Sequence, residues 1–250
     1  MNQQSKASVF SALHRKHEPV ILYNIWDAGS ALAVAQAGAK AIATGSWSCA
    51  AAQGYQDGEA LPFSCLLHTV QRITSVIRLP LSVDFETGYG LHRRDNLAAL
   101  LQAGVVGVNV EDQQMGQSAL NGISEQCEIL NSLRHVAESH NIDLFINART
   151  DVFLQESDIA QHPALIENAK KRLAAYQDAG ASGFFVPGLR DPVLIAELCE
   201  ASALPVNIMV NNLTPPLAEL TAAGVSRISF GPHPYIGLME ILKQQARVLY

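Results

Sequence analysis

At four places, Ala37-Gly38, Ala103-Gly104, Ala179-Gly180 and Ala223-Gly224, the dipeptide Ala-Gly stands between an amphipathic stretch and a short run of β-forming residues. Glycine suits the left-handed C-terminal cap of a helix, so each pair marks where a helix stops and a strand begins. The following runs are Ala41–Thr44, Val105–Val110, Gly183–Val186 and Arg227–Phe230. Similar runs at Val20–Ile25, Leu81–Phe85, Leu144–Ala148 and Val206–Val210 bring the number to about eight, with helices between them and a last helix over Pro234–Tyr250. Regular alternation of strand and helix demands a parallel sheet, and eight such units close into a (β/α)8 TIM-type barrel. The competing open, doubly wound sheet is disfavoured: no Gly-x-Gly-x-x-Gly follows the first strand, and polar residues follow nearly every strand instead of one crevice.

The length of 250 residues and a hydrophobic content of 48% fit a single barrel domain over residues 1–250. A net charge of −6 and the absence of a Lys/Arg block exclude a nucleic-acid partner. No stretch is apolar for long enough to cross a bilayer, and residues 1–19 read as neither signal peptide nor anchor. Cys49, Cys65, Cys127 and Cys199 are scattered without a Cys-x-x-Cys pair, as free thiols in a reducing, cytoplasmic compartment would be.

In a parallel barrel the loops leaving the carboxyl ends of the strands converge on one face. Those positions carry Trp26-Asp27, Gly45-Ser46-Trp47-Ser48, Asp84 and Glu86, Asn109 to Asp112, Asn147 to Asp151, Asn207 and Gly231-Pro232-His233. Asp84 and Glu86 alternate along a strand end and point the same way, with Glu111 on the next strand. Clustered carboxylates repel one another unless a hard cation sits among them, and oxygen ligands plus water suit Mg²⁺, with Mn²⁺ as a substitute. The same acids could instead cap helices or pair with Arg93 and Arg94. Arg149 can grip a substrate carboxylate with two parallel hydrogen bonds, or form a structural salt bridge to Asp151 or Glu111. Gly45 and Ser46 offer backbone N–H groups and a hydroxyl to an anion, or form only a turn. Asp57 lies on a glycine-flanked loop that either swings over the site or merely turns. His233, between two prolines, is a substrate contact or a rigid rim residue. A phosphate-binding barrel of the common type does not fit, because Met209–Pro216 lacks the glycines that let backbone crowd a phosphate.

Taken in order, these motifs resemble the isocitrate lyase/phosphoenolpyruvate mutase superfamily over roughly Pro19 to Leu242. The markers are Trp26-Asp27-Ala28-Gly29-Ser30-Ala31, Ala43-Thr44-Gly45-Ser46, Gly54-Tyr55-Gln56-Asp57-Gly58, Val83-Asp84-Phe85-Glu86-Thr87-Gly88, Val108-Asn109-Val110-Glu111-Asp112-Gln113, Asn147-Ala148-Arg149-Thr150-Asp151 and Ile228-Ser229-Phe230-Gly231-Pro232-His233. The resemblance implies that Asp84 contacts Mg²⁺ directly while Asp57, Glu86 and Glu111 act through metal-bound water. It implies that Gly45, Ser46, Trp47 and Arg149 surround the carboxylate end of a small 2-oxo or 2-hydroxy acid, with Asp57, Glu111 and Arg149 serving catalysis. It also implies a homodimer or homotetramer with a helix exchanged between subunits.

The departures narrow the reading. Family lyases carry a Lys-Arg-Cys-Gly-His type lid after Glu-Asp-Gln, whereas Gln113–Gly122 holds no Cys, Lys or His, and Ala119 stands about where the cysteine belongs. Cys127 is too far along, on the following helix, where it is expected to be a buried thiol. The glutamate that lyases show after the sixth strand is replaced by Val186-Pro187-Gly188, and Glu86 stands where aspartate is commoner. The expected activity is therefore a carbon–carbon lyase or decarboxylase acting on an oxaloacetate-like acid, for which cation-stabilised enolate formation suffices. Carbon–phosphorus chemistry on phosphonopyruvate would have to rely on Gln117, Ser118 and Asn121. A barrel that only binds 2-oxo acids is the third reading. Asn121 and Asn207 are the candidates for contacts to the far part of the substrate.

Overall fold

The computed structural model describes residues 1–117 and 119–250; Ser118 lies outside the described residues. Eight strands form one parallel sheet: β1 (Val20–Leu22), β2 (Ile42–Ala43), β3 (Leu81–Asp84), β4 (Gly107–Glu111), β5 (Phe145–Arg149), β6 (Gly183–Phe185), β7 (Val206–Met209) and β8 (Arg227–Ser229). Each pairs with its sequence neighbour, and β1 pairs with β8. The remaining seam closes between β1 and β2, where the Ile25 N–H donates to the Ala43 carbonyl at 2.9 Å and the Gly45 N–H to the Ile25 carbonyl at 3.1 Å. This is the eight-unit barrel that the alternation requires.

Among the described residues ten α-helices accompany the strands: α1 (Gln3–Ala12), α2 (Ala28–Gln36), α3 (Ser46–Ala51), α4 (Phe63–Val76), α5 (Arg93–Gln102), α6 (Ile123–Ser139), α7 (His162–Asp178), α8 (Pro192–Ala201), α9 (Leu217–Ala222) and α10 (His233–Arg247). Gly38, Gly104, Gly180 and Gly224 have φ of 98°, 94°, 89° and 91°. The four Ala-Gly pairs are thus left-handed helix ends, a conformation costly to any residue with a Cβ. Among the described residues no helix is long and apolar enough to cross a membrane, and all four cysteines are unpaired. Cys127 sits on α6 half-buried rather than buried.

Strand alternation sorts side chains between the helix layer and the barrel interior. Val83, Val108, Ile146, Phe184 and Ile208 point outward and are fully buried under helices. Inward, the floor holds Ser82, Asn109, Asn147, Asn207 and Arg227, all at most 5% exposed. Barrel interiors are usually filled by branched aliphatic residues, so a polar floor is a departure that asks for a chemical reason. Apolar filling closes the amino-terminal end, where α1 inserts Phe10 against Val20, Leu22 and Phe145. A Cβ on Gly107 would lie 2.6 Å from the Phe10 ring, so the glycine makes room for this plug.

Candidate active site

Asp84 ends β3, and its carboxylate is held from two sides. The Ser46 N–H and hydroxyl donate to Oδ2 at 3.1 and 2.9 Å, and Asn109 Nδ2 lies 3.4 Å from Oδ1. The Gly45-Ser46 anion cradle therefore exists, but the anion in it is the protein's own carboxylate. Gly45 is the N-cap of α3, which makes this segment a helix start and not an isolated turn. Asp27 likewise caps α2, in a capping box with Ser30.

Glu86 lies beside the main cavity and not on its wall. Its Oε2 accepts from the Glu59 N–H at 2.6 Å and its Oε1 from the Tyr89 hydroxyl at 3.1 Å. Glu59 in turn accepts from Thr87 N, Thr87 Oγ1 and Tyr89 N at 3.1, 2.6 and 2.8 Å, which ties the Asp57 loop to the loop after β3. Glu59, Glu86 and Tyr89 all have positive φ, of 59°, 50° and 61°. Three left-handed non-glycine residues in one contact mark a strained corner of the kind that clusters at active sites. Neither Arg93 nor Arg94 reaches Asp84 or Glu86 among the described residues; the Arg93 Nε–H is spent on the Gly90 carbonyl.

Arg149 ends β5 and makes both of the salt bridges open to it. Its Nε and Nη2 donate to Asp151 at 2.6 and 2.9 Å, and Nη1 lies 2.8 Å from Glu111 Oε2. A guanidinium carries five N–H groups; Asp151 takes two of them in hydrogen bonds and Glu111 faces Nη1 as an ion partner, so N–H groups remain for a ligand. Burial alone would lower the Arg149 pKa, but Glu111 and Asp151 more than offset it and keep the group charged. The Arg149 guanidinium carbon lies over the Phe185 ring, 5.8 Å from its centre, within cation–π range.

Asp57, Asp84, Trp47 and Arg149 open onto one cavity of about 210 Å³, with Asn109 on its floor. The far wall is apolar, made by Leu154, Phe185, Met209 and Pro232. Asn121 and Asn207 do not line it. The Asn121 amide donates to Gln126 Oε1 at 3.0 Å, while Asn207 lies one layer down, accepting from the Ser229 hydroxyl at 2.9 Å. His233 is on the exposed rim at the first turn of α10. The lid returns to β4 as a small antiparallel bridge between Gln113 and Leu120, anchored below by Asp112, which accepts from Arg172 Nη1 at 2.8 Å and Tyr176 Oη at 2.7 Å.

Asn24 and Arg227 escaped the sequence reading, and Asn109, placed on the site face, was given no role. Asn24 lines the cavity and staples the barrel seam: its Oδ1 accepts from Phe230 N and Gly231 N at 2.8 and 2.9 Å, and its Nδ2 donates to the Thr44 carbonyl at 2.8 Å. Asn109 and Arg227 form the floor. In each case strand parity was the available signal, because Val20, Leu22 and Asn24 share one side, as do Arg227, Ser229 and Gly231.

The electrostatics follow from crowding. Burial, then Asp84 and Asp57, push the Glu86 carboxyl up to about 7. Burial pushes Glu111 up to about 8, with Arg149 pulling the other way and Asp151, Asp84 and Glu86 adding to the rise. Asp57, on the rim, is also raised, by lost hydration and by Asp84. A cation would relieve this repulsion. Among the described residues no three acidic, histidine or cysteine side chains converge closely enough to ligate one ion together. The oxygen-only donor set nevertheless suits Mg²⁺, which keeps much of its water and takes only one or two direct carboxylates.

The phosphoenolpyruvate phosphomutase family model matches residues 10–250. A crystal structure from Burkholderia cenocepacia J2315, provisionally named a phosphonomutase, is 42% identical, covers all of both chains and superposes with a TM-score of 0.96. The 2-methylisocitrate lyase of Escherichia coli is 26% identical over 86% of this chain and 74% of its own. A phosphonopyruvate hydrolase solved with oxalate and Mg²⁺ shares the fold, with a TM-score of 0.84 at 19% identity, covering 99% of this chain and 87% of that one. The chain belongs to the phosphoenolpyruvate mutase family, within the isocitrate lyase/phosphoenolpyruvate mutase superfamily of lyases and mutases.

Proposed function

We propose that this chain is a Mg²⁺-dependent carbon–carbon lyase that acts on a small 2-oxo acid, or its 2-hydroxy parent, with an oxaloacetate-like compound as the favoured substrate and Mn²⁺ as a working substitute for the metal. The observation that carries it is the shared cavity: Asp84 and Asp57 open onto the same roughly 210 Å³ space as Arg149. A carboxylate seated on the Arg149 N–H groups that Asp151 leaves free would turn the adjoining carbonyl toward the acidic side. Bound there, Mg²⁺ would supply positive charge where an enolate oxygen develops, which stabilises the transition state more than the neutral ground state.

Ser46 fixes the aim of Asp84, and Asp151 fixes the aim of Arg149, so neither group needs to reorganise during bond cleavage. For oxaloacetate the C3–C4 bond breaks, its electron pair passes to the enolate of pyruvate, carbon dioxide leaves, and a solvent proton completes pyruvate. No lid thiol is required, in keeping with Ala119. Carbon–phosphorus chemistry is less well supported, because the described part of the lid and the cavity lining offer no cation besides Arg149. A cytoplasmic, homo-oligomeric enzyme is proposed with this activity.

Incubation of the purified protein with Mg²⁺ and a panel of 2-oxo and 2-hydroxy acids tests the reading, with titration calorimetry of oxalate alongside. Turnover of a member of the panel, lost in Asp84→Asn, is the expected result. Phosphate release from phosphonopyruvate would replace it with carbon–phosphorus chemistry. Oxalate binding that requires Mg²⁺ without turnover of any compound would leave a binding protein.

A further inference from the structure

Arg227 is 1% exposed, inside the barrel beneath the cavity, and no carboxylate touches it among the described residues. Its Nε and Nη1 have no hydrogen-bond partner, and burial draws its pKa down to about 9, with Asp84 the charge that resists the fall. A buried cation with so little compensation is costly, so a floor built for stability alone would carry an aliphatic residue there.

Its one hydrogen bond shows where the charge is directed. Arg227 Nη2 donates to Asn109 Oδ1 at 3.1 Å, and Asn147 Nδ2 donates to the same oxygen at 2.9 Å. Two donors on one amide oxygen settle which end of the Asn109 side chain is oxygen, a choice that an isolated amide would leave open. Asn109 Nδ2 must therefore face upward, to the side of Asp84, where Asn109 lines the cavity. One of its N–H groups lies toward Asp84 Oδ1 in a long contact of 3.4 Å, and the other is left for the cavity. A guanidinium bonded to the amide oxygen draws electron density from the nitrogen and strengthens it as a donor.

We propose that Asn109 is a substrate-contacting residue whose amide N–H meets the carbonyl oxygen of the 2-oxo acid and strengthens as that oxygen gains negative charge, and that Arg227 is the positioning residue that aims and polarises it. The proposal rests on the reading of the cavity as a 2-oxo acid site. It gives the polar floor a chemical reason: the Arg227–Asn109 pair carries positive character up the barrel axis to the point where charge develops.

The test compares binding of oxalate, which mimics the enolate, with binding of pyruvate, the neutral carbonyl form, by calorimetry in the presence of Mg²⁺. The variants are Asn109→Leu, Asn109→Ser, Arg227→Met and Arg227→Lys, each checked first by thermal melting. Asn109→Leu and Arg227→Met are expected to weaken oxalate roughly 10- to 100-fold and pyruvate several-fold less. Arg227→Lys, which keeps the charge and loses the planar fork, should fall between wild type and Arg227→Met. A general loosening of the barrel would lower both affinities together and would not be rescued by lysine, so that pattern overturns the proposal. So does unchanged oxalate affinity in either variant. Where Arg227→Met or Asn109→Leu fails to fold, Asn109→Ser decides in the same way, because it removes the amide N–H and its shorter hydroxyl cannot reach the same point, while a small polar side chain is kept. If the wild type itself binds neither ligand, the cavity reading fails, and that result is distinct from a wild type that binds and variants that bind equally well.

Discussion

At the scale of single residues, Arg149 shows how a salt bridge and a ligand site can be the same object. Asp151 takes the side fork of the guanidinium and Glu111 is ion-paired with Nη1, so the group is rigid before any ligand arrives. Lysine would keep the charge but offers a single point of attachment and cannot satisfy Asp151 and a carboxylate in one plane. Arg149→Lys is therefore expected to lower oxalate affinity about 30-fold or more, on the order of 2 kcal/mol, and to leave the fold intact. Calorimetry read beside a melting curve checks both halves, and wild-type affinity in the lysine variant would show that the charge alone suffices. Asp84, Glu111 and Arg149 were legible in the sequence because each ends a strand, where parity and burial constrain the choice of residue. The partners that aim them were not: that Ser46 would serve Asp84, and that Asn121 would turn away to Gln126, depends on loop paths that local patterning does not specify.

Among the elements, the strands were legible and the first helix was not. Ala-Gly caps and β-branched runs are local signals, so the eight strands fall where patterning puts them, within one to three residues at their ends. Helix α1 has no comparable apolar stripe, because it buries only Ala7 and Phe10, yet those two residues and His14 close the bottom of the barrel. His14 stacks on Phe145 at 4.0 Å and donates through Nδ1 to the Phe10 carbonyl at 2.8 Å. Burial, followed by the charge of Arg227, lowers its pKa from 6.5 to about 3, against a small opposing effect of that hydrogen bond. Between those values the unfolded chain binds a proton that the folded chain refuses, so this contribution to stability is complete above pH 6.5 and shrinks as the pH falls toward 3. The loss should be about 1.4 kcal/mol per pH unit. Urea unfolding at pH 6.5 and 5.5 should thus show the wild type losing about 1 kcal/mol more than His14→Gln, which has no proton to gain, because at pH 6.5 the unfolded imidazole is already half protonated. Parallel losses in the two proteins would mean that His14 is hydrated in the folded state.

Across the whole molecule, one helix position of the barrel is left uncovered. Outward residues of the other strands are buried under helices, but on β1 and just beyond it Ile21 and Tyr23 are 41% and 45% exposed. The helix that would cover them is α10, and it leaves instead: Pro234 is the one residue it buries, and its base is pinned by edge-to-face contacts of Tyr235 with Trp26 and Trp47 at 5.0 and 6.0 Å. Beyond that turn Leu238, Met239 and Leu242 form an apolar stripe at helical spacing, with Leu238 and Leu242 48% and 58% exposed. A stripe with no partner and a strand face with no cover belong to the same architectural unit, so one chain's α10 laid against its neighbour's barrel satisfies both, and two copies related by a twofold axis do so reciprocally. Because Trp47 and Pro232 line the cavity beside the root of α10, this exchange would also brace the apolar wall of the site. Leu238→Asp combined with Leu242→Asp places two charges in the stripe without touching the cavity. Light scattering after size exclusion should then show an oligomeric wild type and a monomeric double variant, with oxalate affinity reduced in the monomer as the wall loosens. A wild type that runs as a monomer at micromolar concentration would mean that α10 folds back onto its own barrel in solution, covering Ile21 and Tyr23 itself.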